Sequence, residues 1–486
     1  MFDDIFVSCD FNAKKADGSL YRKVIEKIGI QPKDVMMIGD NPVSDYKMAK
    51  ANGIKPRLRF RLLYKLSLKL KMKTGYDFSK SAINKIINNC YKYSLPFSEY
   101  STIYFSFTER LSENLEPKSI PVFLAREGYF LKTLFEKYEY LLKKDSEIHK
   151  THYFLSSRRS ITSTNVQEVC QKVFDENIHL IYCLYTAGFT DEEIQDFKQK
   201  HNLTDEQMNS YPQQDMIEIL KQIIPAKVEN NKRALYDYAK EIIENNSDNT
   251  PVHFIDIGWK GSMQKGIESI FKINTKGFYV GTTGDSLDPV TDGLVFSYSK
   301  SLINSTYYDV LNTNIQLYES LASAPHGSAQ TYTYKDGQVV VPLRWVENEK
   351  ALYENTIESW QKNALEWFSA CAAWSDKDKI NVSNKRNANT VLKSALFANK
   401  KRRDFTRELD KGFVWNFGQD VKGLNYKSSG VKIGLSIFYK PESYVHYFAK
   451  IQRLLPEKKL VHMLYYCFAF AVSLYVKLIL KLKRAK

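Results

Sequence analysis

The stretch that most restricts what this chain can fold into is Pro251–Gly266, PVHFIDIGWKGSMQKG. Its apolar run, Val252–Ile257, reads as a short buried strand. The run carries Asp256 near its end and leads straight into Gly258, Trp259, Lys260, Gly261 and Ser262, after which helical spacing begins. Glycine lets backbone approach closely, and free N–H groups at a helix start point at a ligand, so this junction has the ingredients of an anion cradle. Pro121–Phe135, PVFLAREGYFLKTLF, repeats the layout: a short strand, then Arg126, Glu127 and Gly128, then a helix. Two such junctions in one α/β region converge at the carboxyl ends of parallel strands, where open sheets place ligands. Neither loop has the GxxxxGK[ST] or GxGxxG spacing, and two ordinary βα turns would read the same way.

At 486 residues the chain has room for two to four domains. Its 32 Tyr and 28 Phe argue against disorder over most of the length. A net charge of +15 points to acidic contacts: phosphate esters, an anionic membrane surface or nucleic acid. No RNA- or DNA-binding motif accompanies the charge, which weighs against nucleic acid. The six cysteines are scattered without a CxxC pair, which fits a reduced, cytosolic compartment and not a zinc site. MFDDIFVSCD has no basic region followed by an apolar stretch, so no secretory leader is expected.

The sharpest chemistry lies in residues 1–56. Ile5–Ser8 reads as a strand, Leu20–Ile28 as a helix, and Asp34–Ile38 as a second strand delivering Gly39, Asp40, Asn41, Pro42, Val43, Ser44 and Asp45. Two carboxylates on a loop after a parallel strand can hold one magnesium ion, which prefers few carboxylates plus phosphate oxygens.

IFVSCDFNAKKADGSLYRKVIEKIGIQPKDVMMIGDNPVSDYKMAKANGI resembles the C-terminal part of a phosphohydrolase of the haloacid-dehalogenase superfamily. The resemblance implies that Ser8 binds the transferring phosphoryl group and that Lys15, with adjacent Lys14 as its alternative, neutralises phosphate and nucleophile. It also implies that Asp40 and Asp45 hold Mg2+. The family's nucleophile is the first aspartate of a DxD motif well upstream of the hydroxyl residue. Asp3, Asp4 and Asp10 do not take that place, so this chain is expected to carry half of such a domain, without the attacking carboxylate.

Residues 57–95 form an expected basic connector. Within it Arg57–Lys73 has seven basic residues and no acidic one, with an apolar face beside a basic face. Either a membrane-surface segment or a basic linker fits that pattern. A second α/β region is expected over residues 96–340, with a helical insert at about 190–247. In it, Ser156, Ser157, Arg158, Arg159 and Ser160 follow a strand, and guanidinium beside hydroxyls suits phosphate or carboxylate; a surface salt bridge would use the same residues. Arg126, Gly128, Arg158, Asp256, Gly258, Lys260, Gly261 and Ser262 are the candidate ligand contacts. Glu319 precedes the marked turn Ala324–Ser328, where it either places a carboxylate near the turn or, the plainer reading, is a capping or solvated residue.

Helical patterns dominate 341–455, and residues 456–486 end in an apolar helix flanked by lysines. That helix fits a buried element, an in-plane membrane helix or a span. FLAREGYF, YFLSSRRS, HFIDIGWKGSMQ, GFYVGT and ESLASAPHGS resemble the long C-terminal region attached to certain haloacid-dehalogenase-type proteins of bacterial surface-polysaccharide clusters. The loops also resemble, distantly, phosphoribosyltransferase phosphate loops, though the acidic pair of that family is not matched. The expected fold is therefore α/β: a partial Rossmann-like unit, then a second α/β region with a helical insert and a helical C-terminal part. The resemblance implies a phosphohydrolase- or phosphotransferase-like role in surface-polysaccharide assembly at the inner face of the membrane, on phosphorylated sugars or nucleotide sugars. A catalytically silent scaffold, or a glycosyl- or phosphoribosyltransferase-like binding protein, is the alternative.

Overall fold

In the computed structural model, residues 4–39, 41–58, 97, 100–143, 147–176, 178–240, 242, 251–283, 290–297, 308–312, 315–375, 384–396, 400–412 and 459–485 are described. The chain divides into two compact units, Met1–Cys90 and Tyr91–Lys486. Asp40 and nearly all of the expected connector, residues 59–95, lie outside the described residues.

In the first unit, helix α1 (Ser19–Ile28) precedes strand β1 (Met36–Gly39), helix α2 (Met48–Ala51) and strand β2 (Lys55–Leu58). β1 and β2 pair in parallel, Met36 opposite Lys55. Tyr21, Ala49 and Ile54 form the core, with Ile25, Val35, Met37 and Met48 against them. The expected strand at Ile5–Ser8 is a coil leading into a turn: Ile5 and Val7 are exposed and pair with no strand. Apolar sequence alone does not make a strand, because backbone groups need a ladder partner.

The second unit is built on five strands: β3 (Ile120–Leu124), β4 (His152–Phe154), β5 (Val252–Asp256), β6 (Lys276–Gly281) and β7 (Thr291–Phe296). They form one all-parallel sheet in the spatial order β4-β3-β5-β6-β7. Every residue of β3 and β5 is buried, as expected of strands covered on both faces. One face presents Ile120, Val122, Leu124, Val252 and Phe254 to Ile161, Ala234, Leu235, Ile267 and Tyr332. Residues of opposite parity serve the other face, where Phe123 meets Phe135. Each such large side chain removed from water contributes about 1.5–3 kcal/mol.

Helices α3 (Ser101–Asn114), α4 (Gly128–Leu142) and α5 (Arg158–Thr162) accompany β3 and β4. A helical group follows: α6 (Val166–Cys170), α7 (Leu180–Thr186), α8 (Asp191–Lys200), α9 (Asp205–Met208) and α10 (Gln214–Tyr238). Its own core, including Val169, Leu184, Phe197, Leu220 and Val228, begins well before residue 190. Thr190 with Glu193 and Thr204 with Gln207 close capping boxes that start α8 and α9. After β5 come α11 (Ser262–Phe271), α12 (Tyr308–Asn312) and α13 (Ile315–Leu321). Short strands β8 (Ser328–Ala329), β9 (Thr333–Lys335), β10 (Gln338–Val340) and β11 (Leu343–Arg344) form two small antiparallel pairs. Helices α14 (Glu347–Leu352), α15 (Glu358–Ser375), α16 (Asn384–Leu396), α17 (Lys400–Gly412) and α18 (Lys459–Ala485) complete the described elements. Among the described residues no helix is long and apolar enough to cross a membrane.

Candidate functional site

The carboxyl ends of β3, β4 and β5 open into one cavity of about 670 Å³. Strand order explains its position. The chain leaves β3 for β4 on one side, while β5, on the other side of β3, leads on to β6. Connections that diverge from adjacent parallel strands leave a crevice between them, and ligands of open α/β sheets bind there.

Arg126, Arg158, Asp256, Gly258, Lys260, Gly261 and Ser262 all line this cavity, although up to 136 positions separate them in sequence. Gly128 does not. A Cβ there would stand 3.0 Å from the Phe123 carbonyl carbon, so this glycine lets α4 pack closely on β3. Gly258 is needed for backbone reasons: its φ is +153°, and a Cβ would meet the Gly281 oxygen at 2.6 Å. Gly261, at φ +69°, occupies the position before α11, and Ser262 begins that helix.

The cations have unequal roles. Arg126 is ion-paired with Glu349, itself in the lining. Arg159 is buried and structural: its Nε donates to the Tyr185 carbonyl at 3.0 Å, and an Nη to the Phe189 carbonyl at 2.8 Å. Burial pulls its pKa down to about 10. Arg158 lies one residue on from the capping-box residue Ser157 and faces the cavity. Lys260 is exposed at the mouth of the loop.

Three carboxyl groups converge with them: Glu127 after β3, Asp256 at the end of β5, and Glu319 on α13. Asp256 is 8 % exposed, and its Oδ1 accepts the Ile257 N–H at 2.7 Å. Burial, reinforced by the charges of Glu127 and Glu319, pushes its carboxyl well above the usual carboxylate range. Glu319 accepts the Trp259 indole N–H at 2.6 Å. Burial and then repulsion from Glu127 push it up to about 7. The sequence left Glu127, Glu349 and the aromatic lining residues Trp345 and Tyr353 unmarked. Glu127 was visible inside the A-R-E-G corner, whereas Glu349 is 223 positions from its partner Arg126 and no local pattern points to it.

The first unit has a smaller constellation. Lys15 Nζ donates to Asp45 Oδ1 at 2.8 Å, the Asn41 N–H to Oδ2 at 3.0 Å, and the Ser44 hydroxyl to Oδ1 at 3.3 Å. Asp45 is only 4 % exposed. Burial raises its proton affinity, but Lys15, the Asn41 amide and Ser44 outweigh that and hold its carboxyl below the ordinary value. Asn41 also accepts the Val43 and Ser44 N–H groups through its side chain, fixing the turn that carries Asp45. Lys15, and not the exposed Lys14, makes the contact. Ser8 sits in an exposed turn, and no hydrogen bond joins its side chain to Lys15 or Asp45 among the described residues.

Residues 1–53 match the family model for haloacid dehalogenase-like hydrolases. No curated protein matches the chain. The matched segment contains Ser8, Lys15, Asp40 and Asp45, and haloacid dehalogenase-like hydrolases generally use Mg2+. A carboxylate has about four acceptor sites. Three at Asp45 are taken, which leaves one on Oδ2 for a hydrated cation. That suits a supporting ligand and does not make a metal site alone. Among the described residues no three His, Cys, Asp or Glu side chains cluster as a metal site.

Proposed function

We propose that the chain is a haloacid-dehalogenase-type phosphohydrolase- or phosphotransferase-like protein of bacterial surface-polysaccharide assembly, working on phosphorylated sugars or nucleotide sugars. The Lys15–Asp45 pair carries this reading, because it places a cation and a buried, ionised carboxylate together at the end of β1 within the matched segment. Lys15 neutralises incoming phosphate, Ser8 donates a hydrogen bond to it, and Asp45 with Asp40 would hold magnesium. Magnesium, when bound, offsets the charge of the phosphoryl oxygens. On this reading none of the aspartates before Lys15 serves as the nucleophile. Asp10 is exposed and accepts the Cys9 thiol, so on this reading the chain as given does not hydrolyse phosphate esters alone.

The cavity of the second unit holds the sugar phosphate or nucleotide-sugar ligand, with Arg158 and Lys260 toward its anion. Exposed Leu464, Phe468, Leu474 and Leu478 on α18, with Lys477 among them and Lys481, Lys483 and Arg484 following, support contact with an anionic membrane surface. The test is magnesium-dependent phosphate release from a panel of sugar phosphates, for this chain and for one extended upstream by a DxD-bearing strand. Activity confined to the extended form supports the reading. Inactivity of both turns the assignment toward a silent scaffold.

A further inference from the structure

We propose that the cavity at the ends of β3, β4 and β5 is a second catalytic centre, which cleaves the bond between the anomeric carbon of a sugar and a phosphate oxygen, with Glu319 as the proton acceptor. The substrate class, a glycosyl phosphate or nucleoside diphosphate sugar, rests on the reading above that the chain handles phosphorylated sugars. The reaction does not use Lys15, Asp40 or Asp45.

Four observations lead there. The cavity falls within the size range of small-molecule sites and sits at the strand-order reversal where such sheets bind ligands. Three carboxyl groups from three separate elements face it and repel one another. None has a hydrogen-bonded cation among the described residues: Glu127 accepts only the Arg126 N–H, Asp256 only the Ile257 N–H, and Glu319 only the Trp259 indole. Burying acid groups this way costs stability that apolar side chains would not. Finally, Asp256 is more than nine-tenths buried, and its Oδ2 has no partner among the described residues while the residue lines the cavity. An acceptor oxygen, or a donor O–H once protonated, is thereby presented to a ligand.

The remaining lining fits this substrate. Arg158 and Lys260 supply positive charge for the phosphate, and α11 starts beside them. Trp345 and Tyr353 supply flat apolar faces for the ring of a sugar. Asp256, its carboxyl pushed up by burial, offers its second oxygen to a sugar hydroxyl.

The oxygen of water, or of an acceptor hydroxyl, attacks the anomeric carbon and forms the new C–O bond. The bond from that carbon to the phosphate oxygen breaks, and its electron pair leaves with the phosphate beside Lys260 and Arg158. The proton of the attacking hydroxyl passes to the Glu319 carboxylate and then to solvent. Glu319 must be ionised to act. The groups facing it are Glu127, which opposes ionisation, and Arg158 and Arg126, which favour it, Arg126 being largely offset by Glu349; Asp256 adds no charge while protonated. Activity therefore rises as pH climbs through about 7.

The experiment uses the full chain with glucose 1-phosphate and UDP-glucose in water labelled with heavy oxygen, reading the label's position by mass spectrometry. Cleavage at carbon puts the label on the sugar's anomeric hydroxyl, whereas phosphohydrolase chemistry puts it on the phosphate. We expect label on the sugar. Glu319→Gln should slow release by at least about 100-fold while binding of UDP-glucose by calorimetry stays within about threefold. Label found only on phosphate would refute the second centre and, if lost in Asp45→Asn, would show that Lys15 and Asp45 hydrolyse phosphate esters without an upstream strand. Full activity in Glu319→Gln, or no turnover of either probe by the unaltered chain, would overturn the proposal; Glu319→Asp, with the same charge on a shorter arm, checks that a dead variant still binds and folds.

Discussion

At the scale of single residues, Lys15 and Asp45 make a test of the N-terminal segment that needs no substrate. The folded pKa of Asp45 lies below the unfolded value of about 3.8, so its contribution is fully present above that value. It fades as pH falls through the lower folded value. Lys15 is 43 % exposed, so solvent screening limits the pair to roughly 1 kcal/mol. Asp45→Asn should therefore lower protection of amides in residues 41–51 at pH 7, and the difference should shrink on acidification toward pH 3. Hydrogen exchange followed by mass spectrometry reads both; equal protection in the two proteins at neutral pH would show that the pair holds nothing in place. Gly258 offers a second test. A methyl group there meets the Gly281 oxygen on a backbone at φ +153°, so Gly258→Ala should cost about 2–3 kcal/mol. A melting temperature unchanged from that of the parent chain would show that the loop has slack to absorb a Cβ.

At the scale of elements, the sequence was legible where burial dictated composition. Every position of β3 and β5 is buried, so their runs had to be apolar throughout, and the corners after them had to carry glycine. The junction residues could thus be picked out without coordinates, apart from Gly128, whose glycine serves packing. Elements that depend on a partner read worse. Ile5–Ser8 has strand composition and no ladder, while the hairpin of β9 and β10 has short strands marked in sequence only by Asp336 and Gly337 between them. Both turn residues have positive φ, 51° and 76°, as a two-residue hairpin loop requires. The α18 helix reads in part: it buries Tyr465, Ala469, Ser473 and Val476 along one stripe and leaves Leu464, Phe468, Leu474 and Leu478 in solvent. An exposed apolar face next to basic residues favours anionic bilayers, each lysine adding about 1 kcal/mol near the surface. The chain should sediment with phosphatidylglycerol vesicles at low salt and not with phosphatidylcholine vesicles. Replacing Phe468 and Leu474 by Glu should abolish the association. Equal binding to both vesicle types would point to a nonspecific apolar contact.

At the scale of the molecule, the two units differ in how far they satisfy themselves. The parallel sheet of Tyr91–Lys486 is covered on both faces by its own helices, and its core runs from Ile120 to Tyr332. In Met1–Cys90 the described strands are two, and successive side chains on a strand point to opposite faces. Met37 faces the small core around Tyr21, Ala49 and Ile54, while Met36 and Ile38 are 55 % and 47 % exposed. Among the described residues this sheet buries one face over few side chains, which gains little against the entropy of ordering the chain. Tyr91–Lys486 expressed alone should therefore unfold in a cooperative urea transition, with near-ultraviolet dichroism and tryptophan fluorescence moving together. Met1–Cys90 alone should show no such transition. It should gain one only when a second component covers Met36 and Ile38. Cooperative melting of isolated Met1–Cys90 would show that the unit closes its own core and leaves Met36 and Ile38 exposed without penalty.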